Sequence, residues 1–347
     1  MKRHLLFLAA LLIVNLAASA QKKFSVYAVG FYNQENLFDT CHDEGKKDYE
    51  YLPNKGWNGM KYTNKLRNMS KALADMGTDV LPNVGCAFIG LSEVENHKVL
   101  DALVDQAPLK ARNMKYVHIE GPDRRGIDCA LLYNPSLFSV KNVKLLPYVQ
   151  ELAKDSAFFT RGFLTVRGEM AGDDVAVIVC HWPSRFSGPF YRESAARQVK
   201  VIKDSLLNVN QEMKIFVMGD MNDDPVNKSM HVYLQAKPEI SQVGAGDMYN
   251  PWYNVLAKEG KGTLFYNGNW NLFDQIVITP NLLNKDAKKK DYSSLKYWKS
   301  HIFRRDYLIQ QEGQYKGAPL RTTAGGRWLN GYSDHLPVVM YLVKEKK

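Results

Sequence analysis

Polar side chains collect at the ends of six short apolar runs in this sequence. In IFVMGDMND, the apolar residues 215–218 lead directly into Asp220 and Asn222. The other five clusters hold Asn33 with Glu35, Glu93, His181 with Arg185, Asp274, and Asp334 with His335. A single cluster of this kind could be a cap or a solvated turn. Six of them, rich in carboxylates, amides and imidazoles, favour loops that converge on one site.

These residue types suit chemistry at an anionic centre such as a phosphodiester. Attack by an anionic nucleophile on such a centre builds up negative charge, which must be neutralised. A hard cation that is held by one or two carboxylates and keeps several waters fits Mg²⁺. A further carboxylate can accept the proton of the attacking water, while cationic imidazoles and neutral amides can hydrogen-bond the phosphate oxygens.

The scaffold that positions these clusters is predicted to be rich in strands, because short runs with β-branched and aromatic residues recur along the chain. The predicted strands cover residues 24–32, 86–91, 116–119, 127–133, 162–166, 175–180, 215–218, 272–278 and 338–342. Helices are predicted at 61–76, after the N-cap Asn96, and at 190–207. The pattern predicts a mixed α/β fold, since too many strands lie close together for strict βαβ alternation.

The ordered set of motifs resembles the endonuclease/exonuclease/phosphatase superfamily, which includes pancreatic deoxyribonuclease, abasic-site endonucleases, neutral sphingomyelinases and inositol-polyphosphate 5-phosphatases. In chain order the motifs are Asn33/Glu35, Glu93, His181, GDMN at 219–222, Asp274 and SDH at 333–335. A lone SDH tripeptide is a weak signal, whereas the ordered conjunction is strong. The likeness spans residues 24–344. It implies a four-layer α/β sandwich, with two mixed β-sheets packed face to face and helices outside.

The resemblance implies a metal-binding side of the site. Glu93, in LSEVEN, matches the carboxylate that binds the essential divalent cation. Asn33 matches an asparagine of the first strand that helps to hold the metal-side network. We add Asp334 and Glu35 to this predicted metal set, although Glu35 lies where branches of the family differ. The expected cation is Mg²⁺, with Mn²⁺ or Ca²⁺ as possible substitutes.

The resemblance also implies the catalytic set. Asp220 matches the aspartate that orients the attacking water, and Asn222 matches the carboxamide that grips the phosphate. Asp274 and His335 match the family's Asp–His pair. His181 corresponds to a histidine of the deoxyribonuclease and sphingomyelinase branches, where it could hydrogen-bond the phosphate or protonate the leaving oxygen. The general base remains open between Asp220 and the His335–Asp274 pair.

Two arginines are candidates for contact with the substrate phosphate. Arg185, in HWPSR, follows closely on His181. Arg125, in PDRRGID, belongs to a charged loop in which an ordinary ion pair is an equally good interpretation.

The N-terminus has the order of a secretory signal peptide. Lys2 and Arg3 precede an apolar run at 5–14, and small residues follow at 18–20. The apolar run is short for a membrane span of about 20 residues. We therefore expect export, cleavage after Ala20, and a single mature domain at 21–347 with no transmembrane segment. The mature chain is expected to be monomeric, and either secreted or periplasmic.

The charge and one segment bear on the substrate. Removal of residues 1–20 would lower the formal net charge from +10 to +8, which suits polyanionic partners. Residues 281–330 hold eleven Lys or Arg against four Asp or Glu, interleaved with aromatic residues. We interpret this segment as an insertion, either with a solvated basic face or as an arm that grips nucleic acid.

Four functions fit these observations. A secreted Mg²⁺-dependent nuclease fits the signal peptide, the charge and the basic segment, and we rank it first. A sphingomyelinase-like phosphodiesterase would need an exposed apolar hairpin, and the sequence offers none. A phosphatase acting on sugar or inositol phosphates is chemically compatible. A non-catalytic binding protein of the same fold would have lost one of Glu93, Asp220, Asn222 or His335, and all four are present.

Overall fold

The structure is a computed structural model that describes residues 23–151, 158–286 and 288–346. The predicted signal peptide at 1–20 lies outside these residues. Within them, no helix combines the length and the apolar character needed to cross a bilayer.

One sheet has six strands. In chain order they are β1 (Phe24–Leu37), β2 (Phe88–Val94), β3 (Lys115–His118), β4 (Asp128–Tyr133), β14 (Lys296–Ile302) and β17 (Val338–Glu345). They lie side by side in the order β14-β17-β1-β2-β4-β3. Only the β1–β2 pair is parallel, so the sheet is mixed.

The second sheet has seven strands. They are β5 (Phe138–Leu146), β6 (Phe163–Met170), β7 (Asp173–His181), β8 (Lys214–Asp220), β9 (Ala236–Lys237), β10 (Met248–Tyr249) and β13 (Asp274–Ile278). Their order is β5-β6-β7-β8-β13-β10-β9, and the central β7–β8 pair is parallel. Two hairpins complete the strands: β11 (Leu264–Tyr266) with β12 (Asn269–Asn271), and β15 (Thr323–Ala324) with β16 (Arg327–Trp328).

In the described part of the chain, four helices pack against the outer faces of the two sheets: α1 (Gly59–Asp75), α2 (His97–Val104), α3 (Ala107–Ala111) and α4 (Pro189–Val209). The short α5 (Trp252–Ala257) instead contributes Trp252 to the apolar cluster between the sheets. Single turns occur at Tyr49–Tyr51, Pro53–Lys55, Arg185–Ser187, Ser229–Tyr233, Ile240–Gln242, Pro280–Leu282 and Asp306–Leu308.

Three apolar clusters separate the four layers. The central cluster joins one face of each large sheet, with Phe31 and Phe88 from one sheet meeting Phe216 and Met218 from the other. Alternate residues of the same strands point outward, where they pack against the helices. Burial on both faces explains why these strands read as nearly continuous apolar runs. The α/β four-layer sandwich with two mixed sheets is confirmed.

The predicted strands and helices all correspond to observed elements, but eight strands escaped prediction. Six of them are only two or three residues long: β9, β10, β11, β12, β15 and β16. The two long ones are β5 and β14, at the edges of the two sheets, whose exposed faces carry charged residues. Because β14 pairs with β17, residues 281–330 are not a surface insertion. They supply an edge strand, and Leu295, Phe303 and Leu308 are buried in the core.

Candidate active site

Three predicted site residues form a row across the seven-stranded sheet. His181 and Asp220 end the parallel strands β7 and β8, and they are register partners. Asp274 begins the antiparallel strand β13 and is the register partner of Asp220 on the other side. Strand ends that share an edge of a sheet bring their side chains to the same place, so these three side chains meet there.

The facing sheet contributes Asn33 and Glu93, and an irregularity in β2 sets the direction of Glu93. The β2–β4 register shifts between Ser92 and Val94, and Glu93 has a φ of 59°. Such a bulge turns a side chain away from the regular alternation. The Glu93 carboxylate accepts hydrogen bonds from the Asn36 N–H at 2.9 Å and from Asn33 Nδ2 at 3.3 Å. Asn33 Nδ2 also lies 3.0 Å from Asp220 Oδ2, so it links the two sheets.

Glu93, His181 and Asp220 form a group that could hold a metal ion. One ligand atom from each lies within 4.8 Å of the others. His181 Nε2 is 3.8 Å from Glu93 Oε1 and 3.6 Å from Asp220 Oδ2, distances that are too long for hydrogen bonds. Among the described residues, no Lys or Arg pairs with Glu93 or Asp220. Two carboxylates without a Lys or Arg partner fit the charge of a hard divalent cation.

His335 and Asp274 form the predicted pair. His335 Nδ1 lies 2.7 Å from Asp274 Oδ2, and both residues are buried. Burial alone would lower the pKa of His335, but the carboxylates of Asp274, Asp220 and Asp334 outweigh it and hold that pKa well above its usual value. The imidazole is therefore cationic near neutral pH. Its Nε2 lies 3.9 Å from Asp220 Oδ2 and is available to an anion.

Asp220 and His181 have pKa values shifted in opposite directions. Burial, opposed by His335 and supported by Asp274, raises the pKa of Asp220 to about 7. Burial, with the positive charges of Arg161, Arg125 and His335, lowers the pKa of His181 well below its usual value. His181 is therefore neutral near pH 7, which does not fit the predicted role as a proton donor. A neutral imidazole fits a ligand or acceptor role instead.

Asn222 lies beside Asp220, and its orientation is fixed. Its backbone N–H donates to Asp220 Oδ1 at 2.9 Å, and its φ is 50°. Its Nδ2 donates to the carbonyl oxygen of Trp182 at 2.9 Å. Among the residues that the structure describes, the second N–H and the oxygen of its side-chain amide have no partner and are free to act on a bound phosphate.

Arg185 does not have the phosphate-binding geometry that the sequence predicted. Its guanidinium is 2.8 Å from Asp224 Oδ2 and donates to the carbonyl oxygen of Asn222 at 3.3 Å. It also donates to the side-chain oxygens of Asn227 and Asn271 and stacks on Phe273. Because its charge and its donors are engaged, Arg185 fixes the loop that carries Asn222.

Glu35 and Asp334 were predicted as metal ligands, but protein cations hold both carboxylates. Arg321 lies 3.3 Å from Glu35 Oε1 through Nε and 3.1 Å from Asp334 Oδ2 through Nη2. Glu35 also accepts the Thr322 N–H at 2.6 Å, and the buried ammonium of Lys65 is 4.0 Å away. Neither carboxylate belongs to the Glu93 group. A metal ion there would compete with a paired arginine, and the metal roles of Glu35 and Asp334 stay a prediction.

Two other arginines lie close to the site. Arg125, predicted to contact phosphate, is exposed and hydrogen-bonds the side chain of Asn36 next to Glu93. Arg161 was not predicted. It is nearly buried, and it donates to the Trp182 carbonyl oxygen at 3.0 Å and pairs with Asp123 at 3.1 Å. No local pattern predicts the roles of Arg161, Lys65 or Arg321, because their partners lie far away along the chain.

Comparison with known proteins gives the same fold. A sequence model of the Endonuclease/Exonuclease/phosphatase family matches residues 28–344. No curated protein sequence matches the chain. Similar solved structures include an endonuclease/exonuclease/phosphatase family protein of Bacteroides thetaiotaomicron, with a TM-score of 0.55 at 13% identity over 94% of this chain and 100% of that one.

Two further structures carry functional names. TDP2 of D. rerio, complexed with a single-strand DNA product, has a TM-score of 0.53 at 11% identity over 92% of this chain and 99% of that one. A mannosyl-6-phosphatase of B. thetaiotaomicron has a TM-score of 0.54 at 14% identity over 91% of this chain and 99% of that one. At these identities the structures establish the fold, while the sequence match establishes the family. The chain belongs to the endonuclease/exonuclease/phosphatase family and is a metal-dependent phosphoric ester hydrolase.

Proposed function

We propose that this protein is an exported, Mg²⁺-dependent nuclease that cleaves phosphodiesters of nucleic acid. The observation that carries the chemistry is the meeting of Glu93, His181 and Asp220 beside the hydrogen-bonded His335–Asp274 pair. A carboxylate site for a hard cation next to a cationic imidazole suits a phosphate ester whose charge grows during attack.

Asp220 acts as the general base in this proposal. Its pKa of about 7 allows it to be ionised at neutral pH and still basic enough to accept a proton from water. The hydrogen bonds from Asn33 and Asn222 orient its carboxylate. This assignment takes Asp220 over the His335–Asp274 pair, because an imidazole held in its cationic form has no free lone pair for a proton.

His335 binds the phosphate as a cation. Its Nδ1–H is directed to Asp274, which leaves the Nε2–H to donate to a non-bridging phosphate oxygen. The side-chain amide of Asn222 donates one N–H to the Trp182 carbonyl oxygen, and its other N–H is a neutral donor for the phosphate. Neither interaction repels the anionic substrate, and both strengthen as negative charge develops.

Glu93 is the main residue for the divalent cation, with Asp220 and the neutral His181 within reach of the same ion. The bound cation would polarise the phosphate and lower the pKa of a water molecule. Oxygen donors dominate this set, which supports Mg²⁺, with Mn²⁺ better suited than Mg²⁺ to the imidazole of His181.

Nucleic acid is the substrate class that the charge distribution supports best. The formal net charge is +10 for the whole chain and +8 without residues 1–20, and exposed Arg125 lies close to Glu93. The D. rerio TDP2 structure, which contains a single-strand DNA product, adds a relative of the same fold that binds this class of molecule. Export rests on the signal-like residues 1–20.

A substrate panel tests the proposal. Residues 21–347 are incubated at a fixed Mg²⁺ concentration with single-stranded DNA, duplex DNA, RNA, sphingomyelin, mannose 6-phosphate and inositol phosphates. We expect the highest kcat/KM for a nucleic acid. A higher value for a phosphomonoester or for sphingomyelin would contradict the nuclease proposal, while leaving the chemistry at Asp220 and His335 intact.

A further inference from the structure

A cavity of about 550 Å³ lies behind the His335–Asp274 pair. Its lining includes Leu336, which directly follows His335 in the chain. The Leu336 N–H donates to the Thr263 carbonyl oxygen at 2.8 Å, and Leu264 forms an antiparallel bridge with His335. The Thr263 Oγ1 in turn accepts the Asp274 N–H at 3.4 Å. A single layer of paired backbone therefore separates the cavity from the catalytic pair.

The floor and walls of the cavity are apolar and aromatic. Phe265 and Trp270, from the β11–β12 hairpin, have ring centroids 5.2 Å apart and both line it. Leu336 and Ala318 form its buried parts, and Tyr315, which is 52% exposed, lies at the rim. A volume of this size falls within the range of about 300–1,000 Å³ that is usual for small-molecule sites.

The rim carries positive charge that the protein leaves uncompensated. Arg304 and Lys316 both line the cavity, and within the described part of the chain neither side chain has an ion-pair or hydrogen-bond partner. Lys261 differs, because it pairs with Glu259 at 2.8 Å on the same rim. Two free cations above a pair of aromatic rings are complementary to a ligand with a planar ring and an anionic group.

We propose that this cavity is a subsite for one unpaired nucleotide of the nucleic acid strand, separated from the catalytic pair by that layer of backbone. The base packs against Phe265 and Trp270, and its phosphate meets Arg304 and Lys316. Because a base must leave its stack to enter a cavity, the subsite selects single-stranded or frayed nucleic acid over intact duplex. The inference rests on the proposed nuclease function and adds the part of the substrate that is read outside the catalytic residues.

Binding without turnover is the first test. The full chain in EDTA is titrated into a fluorescein-labelled oligothymidylate, and anisotropy gives Kd. The double variant Arg304→Gln/Lys316→Gln should weaken binding about tenfold. Lys288→Gln/Lys290→Gln removes the same charge from exposed positions that do not line the cavity, and it should change Kd less than about twofold. An equal rise of Kd in the two double variants would overturn the subsite, because it would show that binding depends on non-specific charge.

Stacking is tested without a change of charge. Trp270→Leu keeps apolar volume but removes the indole, so it should weaken binding of oligothymidylate by about tenfold. The same variant should bind a baseless deoxyribose-phosphate oligomer as the wild type does. Equal losses for both oligomers, or no loss for either, would overturn the role of the cavity in holding a base.

Turnover separates failure of the subsite from failure of the proposed function. In the Arg304→Gln/Lys316→Gln variant, kcat/KM for bis(p-nitrophenyl) phosphate should be unchanged, while KM for single-stranded DNA rises. If the wild type cleaves DNA and the variant matches it, the subsite is refuted and the nuclease proposal stands. If the wild type neither binds nor cleaves DNA, the proposed function fails, and the subsite fails with it.

Discussion

Asp220 and His335 are buried a few ångströms apart and have different tasks because their surroundings differ. The pKa of Asp220 is raised to about 7, whereas the pKa of His335 is raised far enough to keep it cationic. We predict that Asp220→Asn and His335→Gln each lower kcat by about 10²–10⁴-fold. The matched control Asp105→Asn alters an exposed carboxylate whose ion pair, within the described residues, is with Lys110 alone, and its kcat should equal that of the wild type. Circular dichroism checks that the variants fold.

The pH dependence follows from the same carboxylate. Protons compete with the cation for Asp220, so metal affinity should rise with pH up to about 7 and level off above it. Because the pKa of His335 lies well above its usual value, its positive charge persists across that range. Isothermal titration with Mn²⁺ should give tighter binding at about pH 8 than at about pH 6. It should give greater proton release at about pH 6, where the metal displaces the proton of Asp220. An affinity that falls as the pH rises would contradict the assignment.

Sequence reasoning identified the charged residues of the site better than their partners. Glu93, Asp220, Asp274 and His335 meet as expected, because each lies at or close to the end of a strand. The sequence did not predict the partners of Glu35 and Asp334. Their carboxylates bind Arg321, which is 286 positions from Glu35, and no local pattern predicts a contact over that distance.

At the scale of elements, strand irregularities set the direction of the side chains. Glu93, Asn36 and Asn222 all have positive φ angles close to the site. The sequence predicted where these strands end, since apolar runs stop there. It did not predict the bulges, because non-glycine residues rarely adopt this conformation and carry no distinctive pattern.

The buried Lys65 joins α1 to the segment that leads to His335. Its ammonium hydrogen-bonds Thr322 Oγ1 and the Tyr332 carbonyl oxygen, and burial lowers its pKa to about 8. We predict that Lys65→Met lowers the free energy of unfolding by about 2–4 kcal/mol, because it leaves buried acceptors without their donor. The control Lys71→Met, on the exposed face of α1, loses a cation–π contact with Tyr307 and should cost less than about 1 kcal/mol. Urea denaturation measures both, and equal costs would contradict the prediction.

At the scale of the whole molecule, two sheets face each other and their strand ends share one rim. The layer order was predictable from the runs of buried residues and from the family resemblance. The place of residues 281–330 in the fold was not predictable, because their charge suggested a solvated insertion. The segment instead supplies β14, the Arg321 clamp on Glu35 and Asp334, and one side of the cavity behind His335.

Export is a prediction about the whole chain. We expect that expression of residues 1–347 in a Gram-negative host gives a periplasmic or secreted product whose first residue is Gln21. N-terminal sequencing of the exported protein measures this. A variant that lacks residues 2–20 is the control and should remain in the cytoplasm. A full-length chain that retains Lys2 and Arg3 in the cytoplasm would contradict the signal peptide.

The most direct measurement is the rate of bis(p-nitrophenyl) phosphate hydrolysis as Mg²⁺ is titrated into metal-free wild type and Glu93→Gln. The account predicts no hydrolysis in EDTA and a saturable rise with Mg²⁺ for the wild type. For Glu93→Gln it predicts a much higher Mg²⁺ requirement and a rate about 10²-fold lower. Hydrolysis that persists in EDTA, or a Glu93→Gln curve that overlays the wild type, would contradict a metal-dependent site at these strand ends.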